Sequence, residues 1–424
     1  MQSDLEAEGF GGDIRGLCCG QERRQGTGMY DAIVVGARCA GSPTAMLLAR
    51  RGYRVLLVDR ALFPSDTLST HWIWPPGVAC LKHWGLWDRI LAGNCPFFRT
   101  MVLDLGEFRL VGEIPAADGT AEVCTPRRTV LDKILLDAAA AAGAEIREGC
   151  AVTDLLWSDG RVSGIRGRAG GEELAEHGRL VIGADGRASL VARKVGAAQY
   201  KARPAFTCVY YAYWRDVAPH LPGVHLRPQR LVFSFPTHDG LTVMAALFPR
   251  EEFHAVRADP GRHLAEALGL IGDLAEPYQR AERAERLRGT GALPNFFRQA
   301  RGPGWALVGD AGYHKDPILG QGISDAFRSA QWLADAVHAG LSGQRPLAEA
   351  LAEYQCKRDA QFAPIYDLTC NMATLEPPPD MLALYQALRA NPAERNRFFG
   401  TLAGTVPIPE YYAPENIKRI VAEA

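Results

Sequence analysis

The segment Tyr30 to Arg60, YDAIVVGARCAGSPTAMLLARRGYRVLLVDR, constrains the fold more than any other stretch of the chain. A β-branched apolar run (Ile33, Val34, Val35) meets glycine, gives way to apolar positions at helical spacing, and resumes at Val55 to Val58. It reads as strand, tight turn, helix and second strand. Gly36 permits the sharp turn into the helix, and Gly41 has no side chain to hold helix and strand apart, so the free amides of the helix start face a diphosphate. Asp59, with Arg60 beside it, ends the second strand where a carboxylate can grip a ribose hydroxyl. These are the parts of a dinucleotide fingerprint. The pattern departs from GxGxxG at Arg38, which stands in place of the middle glycine. A broken fingerprint also fits an ordinary α/β turn with no nucleotide, whereas a long guanidinium stem can swing aside and neutralise phosphate.

At 424 residues and 47% apolar content the chain is long enough for two lobes with a large core. A net charge of -1 supplies no basic excess to displace counterions, which argues against a nucleic-acid partner. The ten cysteines contain no CxxC pair and suit a reduced compartment, and no metal-ligand set is read from them. Lysine is scarce and arginine abundant, a skew that suits a GC-rich bacterial genome. No apolar run is long enough to cross a bilayer, so the expectation is a cytoplasmic protein without a membrane span. Residues 1–28 are polar and Gly-rich, lack a signal-peptide pattern, and read as a loose tail in which Cys18 and Cys19 lie. A start at Met29 would delete nothing the fold needs.

Farther along, Pro75, Pro76 and Gly77 break the chain, and Val78, Leu81, Trp84 and Leu86 then predict a helix with one apolar side. His71, just ahead, is a candidate to touch substrate or attach a cofactor, although a lone histidine among apolar residues is more often a hydrogen-bonded structural group. Residues 101–124 read as strands. Leu131, Ile134, Leu135 and Ala138 then mark a helix ending at Gly143, with Arg127 and Arg128 at its entrance, either as a solvated pair or with Arg128 gripping a cofactor. Residues 151–178 predict a hairpin turning at Ser158, Asp159 and Gly160, and the next apolar strand runs into Asp185 and Gly186. From Phe206 to Phe253 the alternation is that of antiparallel sheet, with Val209, Tyr211 and Tyr213 on one face and Tyr210, Ala212 and Trp214 on the other. One of these faces should cover the cofactor pocket.

The stretch GWALVGDAGYHKDPILGQGISDAFRSAQWLADAV, from Gly304 to Val337, carries the most information after the first. A strand ends in Gly309 and Asp310, a loop holds Pro317, and Gly320, Gln321 and Gly322 open a long helix. A carboxylate at the strand end can bind a polyol hydroxyl. A glycine-rich helix start brings amides and positive dipole beneath a ring that turns negative on reduction, as a flavin does.

In these three motifs, in this order, the chain resembles the FAD-dependent monooxygenase superfamily, the class A aromatic hydroxylases and their relatives among geranylgeranyl reductases and flavin-dependent halogenases. The resemblance covers most of residues 30–340. It implies an α/β fold: a Rossmann-type, glutathione-reductase-like FAD-binding domain, an antiparallel-sheet substrate domain and a helical C-terminal region. Residues 29–72, 125–198 and 291–345 would form the first, 73–124 and 199–290 the second, and 346–424 the third. It also implies that Gly36 and Gly41 hold the pyrophosphate, with Arg38 and Arg60 beside it, and Asp59 the adenosine ribose. Arg128 would contact the cofactor, Asp310 the ribityl chain, and Gly320, Gln321 and Gly322 the flavin ring, with Asp185 and Gly186 in the motif tied to FAD and pyridine nucleotide. His71, Tyr211, Tyr213 and His314 are the substrate-pocket candidates.

The activity implied is hydroxylation of an electron-rich, aromatic or polyketide-like small molecule through a 4a-hydroperoxyflavin, with non-covalent FAD, NADPH or NADH as reductant and molecular oxygen as co-substrate. A second copy of the chain is left open as a partner. Departures from the family pattern bear on the reaction: Tyr313 replaces the usual histidine, Ser324 an asparagine, and Leu68, Ser69 and Thr70 the cysteine and glycine of isoprenoid reductases. A reductase acting on double bonds is therefore the alternative, followed by a halogenase, which needs a pocket lysine where Lys82 reads as surface. A flavin-binding protein without turnover is the remaining one.

Overall fold

The computed structural model describes residues 28–423 apart from 117 and 219, so the expected tail with Cys18 and Cys19 falls outside the described residues up to position 27. Five strands form the parallel sheet that the first segment requires. Their order is Trp305–Leu307, Glu172–Gly183, Tyr30–Val35, Val55–Val58 and Glu145–Arg147. Tyr30–Val35 lies at the centre, with Val34 opposite Leu57 on one side and Ile182 on the other. Five of its six residues are buried, because helices or strands cover both faces. The helix Gly41–Ala49 is buried at all nine positions, wedged between the helices Arg128–Ala141 and Gly322–Leu341. Strand Glu172–Gly183 serves two partners: its first half pairs antiparallel with Arg161–Ala169, and its last half pairs parallel with the central strand.

The second large sheet is antiparallel around Thr207–Arg215, Thr242–Pro249 and Arg230–Pro236. Its period-two alternation separates two cores. Val209, Tyr211 and Tyr213 join Phe233, Phe235, Trp72 and Trp74 on the inner face. Tyr210, Ala212 and Trp214 pack outward against Val256, Leu264, Leu268 and Leu274 of three short helices. Beyond residue 345 the chain is helical: Leu347–Met372 runs beside Gly322–Leu341, and the helices that follow seat Tyr385, Phe398, Phe399 and Tyr411 in the inner core of the antiparallel sheet.

The helix expected to start after Pro75 and Pro76 begins on them instead. It spans Pro75–His83, since proline in the first turn forfeits no helical hydrogen bond. It also stops earlier than Leu86: Gly85 takes φ +73° and reverses the chain, and Leu86 precedes a separate short helix, Trp87–Ala92. No helix among the described residues is long and apolar enough to cross a membrane.

Candidate active site

A cleft of about 790 Å³ runs between the two sheets, within the volume range of small-molecule sites. One end is built by backbone. Gly36 has φ +104°, and a Cβ there would lie 2.5 Å from the carbonyl oxygen of Ala184. A Cβ at Gly41 would collide with the carbonyl oxygen of Gly36, so strand and helix meet only through glycine. Asp59 braces this turn: one carboxylate oxygen accepts the Ala37 amide at 2.7 Å and the other the Ala61 amide at 2.8 Å. Arg60 lines the cleft next to it.

Arg38 does not hang free over the turn. Its guanidinium donates to Asp132 at 2.6 Å and to the Ser65 hydroxyl at 3.0 Å, and lies 5.2 Å from the Phe63 ring. Arg128, one turn before Asp132 on the same helix, forks onto that carboxylate with contacts of 2.9 to 3.0 Å. Two arginines thus share one fully buried carboxylate, and both line the cleft. The cluster keeps a net charge of +1, suited to a diphosphate.

Beside the Gly36 turn, just past the end of the neighbouring parallel strand, Asp185 accepts the amides of Leu190 and Val191 at 2.6 and 3.2 Å while its second oxygen is buried without a partner. Gly186 beside it has φ +76°. Gly309 (φ +58°) sits against Ala40 of the first turn, and Asp310 follows it in the cleft wall. Of the helix-start residues, Gly322 lines the cleft, whereas Gly320 packs under Trp72 and the Gln321 side chain donates through Nε2 to the carbonyl of Leu402. The two therefore tie the helix start to the second core and the C-terminal helices.

The other end of the cleft is walled by side chains from the antiparallel sheet. Tyr211, Val209, Phe233 and Leu293 close it. Tyr211 is buried, its hydroxyl makes no hydrogen bond of full geometry although the Ser69 backbone and Tyr213 stand close to it, and burial pushes its pKa up to about 12, so it stays protonated at neutral pH. His71 and Tyr213 stand behind this wall. His71 Nε2 and the Tyr213 hydroxyl are 2.6 Å apart, and Nδ1 is buried without a partner. Burial, aided by Arg128, Arg127 and Arg288, lowers the His71 pKa to about 3 and keeps the ring neutral. His71 also has φ +62°, a costly backbone state for a residue with a side chain. His314 lines the cleft, and its Nδ1 meets the carbonyl of Pro294.

Sequence reasoning missed Asp132, which reads as a polar position on an amphipathic helix, and Arg358, which enters the cleft wall from the C-terminal helices. It also missed Lys315 and Asp325. Lys82, read as surface, pairs with Glu122 at 2.8 Å away from the cleft, whereas Lys315 lines it, buried and ion-paired with Asp325. A lysine between His314 and Asp316 inside the glycine-rich motif was the available signal.

A turn that tolerates only glycine, a cationic cluster at its mouth and an unpaired buried carboxylate oxygen fit a dinucleotide cofactor. The chain belongs to a flavoprotein family: residues 29–267 match the FAD binding domain family. Among curated relatives it is 30% identical to digeranylgeranylglycerophospholipid reductase 2 of Methanothermobacter thermautotrophicus, over 77% of this chain and 83% of the relative. The fold matches a flavin-dependent brominase with TM-score 0.78 at 19% identity, covering 93% of this chain and 99% of that one. It also matches PqsL of Pseudomonas aeruginosa, described as a probable FAD-dependent monooxygenase, with TM-score 0.69 at 21% identity over 88% and 99%. The chain is thus a flavin-dependent oxidoreductase by family.

Proposed function

We propose that this flavoenzyme is a monooxygenase that hydroxylates a compact, electron-rich aromatic molecule, taking electrons from NADPH or NADH and oxygen from O2. The reading is carried by the closed, aromatic far end of the cleft with one buried hydroxyl, that of Tyr211, making no hydrogen bond of full geometry. Bound FAD would supply the redox and oxygen-activating chemistry. In this reading Gly36, Gly41, Asp59, Arg60 and the Arg38–Arg128–Asp132 cluster hold its nucleotide half, with Asp185 and Gly186 beside Gly36, and Gly309, Asp310 and Gly322 hold its flavin half.

The protein's own part is binding, orientation and exclusion of water. Tyr211 offers a hydrogen bond to a phenolic or carbonyl oxygen of the substrate, and Phe233 and Val209 flank the ring. Tyr213 and the neutral His71 back the wall. Arg127 stacks 4.6 Å over the Tyr213 ring and pairs with Glu285, which holds the second tyrosine in place.

A double-bond reductase is the second reading, favoured by the activity for which the reductase relatives at 26–30% identity are named. A long prenyl chain would need room behind Tyr211. That space is filled by His71 and Tyr213, whose ring centroids lie 5.8 and 5.9 Å from that of Tyr211.

The test is an anaerobic visible spectrum of the FAD-loaded protein with NADPH and candidate phenols, followed by admission of labelled oxygen. Bleaching by NADPH, recovery in air and one labelled oxygen atom in the product are expected. Reduction of an isoprenoid double bond without oxygen uptake would overturn the monooxygenase reading in favour of the reductase. Flavin that resists NADPH yet bleaches with dithionite would point to an enzyme fed by a separate reductase.

A further inference from the structure

Lys315 and Asp325 form an ion pair whose side chains are only 4% and 7% exposed, and both line the cleft. Asp325 lies in the first turn of the helix Gly322–Leu341, its amide bonded to the carbonyl of Gln321, and Lys315 lies in the loop between Asp310 and Pro317. The ammonium rests 4.8 Å from the ring of Tyr313, whose hydroxyl is itself buried without a partner. Removing two charges from water is costly, and an apolar pair of the same size would fill the space without that cost. The pair also sits where the helix already presents its positive end. Moving charge here changes the potential at the glycine-rich turn with little screening by solvent.

We propose that Lys315 and Asp325 together set the reduction potential of the bound flavin: Lys315 stabilises the negative charge gained on reduction, and Asp325 limits that stabilisation. The proposal rests on FAD binding and on the flavin ring lying at the start of the helix Gly322–Leu341. It does not depend on hydroxylation being the reaction. The couple concerned is the two-electron reduction of FAD, with electrons supplied by NAD(P)H or, in the experiment, by a chemical reductant.

The experiment equilibrates the FAD-loaded full chain with a reference dye under anaerobic reduction and reads the ratio of reduced to oxidised flavin. Asp325→Asn, nearly isosteric, leaves the ammonium unopposed and is expected to raise that ratio about tenfold at a fixed dye poise, about 30 mV for a two-electron couple. Lys315→Met should lower it by a similar factor, Lys315→Arg should stay near the parent, and Lys315→Met combined with Asp325→Asn should return towards it. A purely structural pair would lower the melting temperature without these opposed shifts. Flavin-loaded Asp325→Asn and Lys315→Met proteins within twofold of the parent, or both displaced in one direction, overturn the proposal. Should Lys315→Met fail to fold, the sign of the Asp325→Asn shift decides alone. Failure of the parent chain to bind FAD after reconstitution would overturn the cofactor reading as well, a result distinct from silent variants of a loaded protein.

Discussion

The two ends of the cleft are made of different material. At the end proposed for the nucleotide the shape is held by backbone: Gly36 and Gly41 touch main chain where a Cβ would collide, and Asp59 accepts two loop amides. At the substrate end it is held by side chains from distant segments, with His71, Tyr211 and Tyr213 edge-to-face at centroid distances of 5.5 to 5.9 Å. A backbone-built site tolerates almost no change at its few fixed positions and is indifferent elsewhere. A site built from side chains can be re-cut one residue at a time without losing the fold.

The contrast is broken most directly at Gly41. Gly41→Val should abolish flavin loading, because the helix cannot move off the strand without unpacking nine buried positions; purified variant protein that retains flavin absorbance would show that side chains, not backbone, hold the turn. At the other end His71 supplies the largest effect, through pH. Its folded pKa of about 3 lies below the ordinary 6.5, so its contribution to stability is complete above that value and is lost as pH falls towards 3. The unfolding free energy should drop by about 2 kcal/mol between about pH 6.5 and 4.5 from this group alone, and His71→Gln should flatten that limb in denaturant titrations.

Tyr211→Phe should separate function from stability. It removes a hydroxyl that makes no hydrogen bond of full geometry, so the melting temperature should hold or rise, while kcat/KM for a phenolic substrate should fall by about 10- to 100-fold. Equal losses in both would mean that the hydroxyl supports the wall instead of a ligand. Arg38→Gly, which restores the missing glycine, should have the smallest effect. Asp132 keeps Arg128 as a partner, so a loss of only about 1 kcal/mol in stability is expected, while the cluster's net charge falls to zero and FAD affinity, read by fluorescence quenching, should drop by about 3- to 10-fold.

The same division explains what the sequence revealed. The central strand, the first turn and the late glycine-rich helix start were legible because each depends on local chain geometry: a β-branched run, a glycine where φ is positive, a helical period. The alternation of residues 207–215 likewise separated the inner from the outer face, with Tyr211 on the inner one. It could not tell Tyr211, in the cleft wall, from Tyr213, two residues on and behind it, since both share a face and both pack on His71, and only the hydrogen bond from Tyr213 to His71 and the opening of the cleft at Tyr211 distinguish them. Asp132 and Asp325 were invisible for a related reason: each is a polar position on an amphipathic helix until its partner arrives from another segment.

Arg358 is 1% exposed on the helix Leu347–Met372 and donates to the main-chain carbonyls of Gly312 and Arg298 at 3.0 and 2.9 Å. It therefore completes, from the last third of the chain, a loop whose neighbours Gly309 and Asp310 belong to the cleft wall. During synthesis the first fingerprint leaves the ribosome some three hundred residues ahead of this guanidinium. Tight flavin loading should then wait until the C-terminal helices have emerged and docked, making acquisition of the cofactor a late event in the birth of the protein.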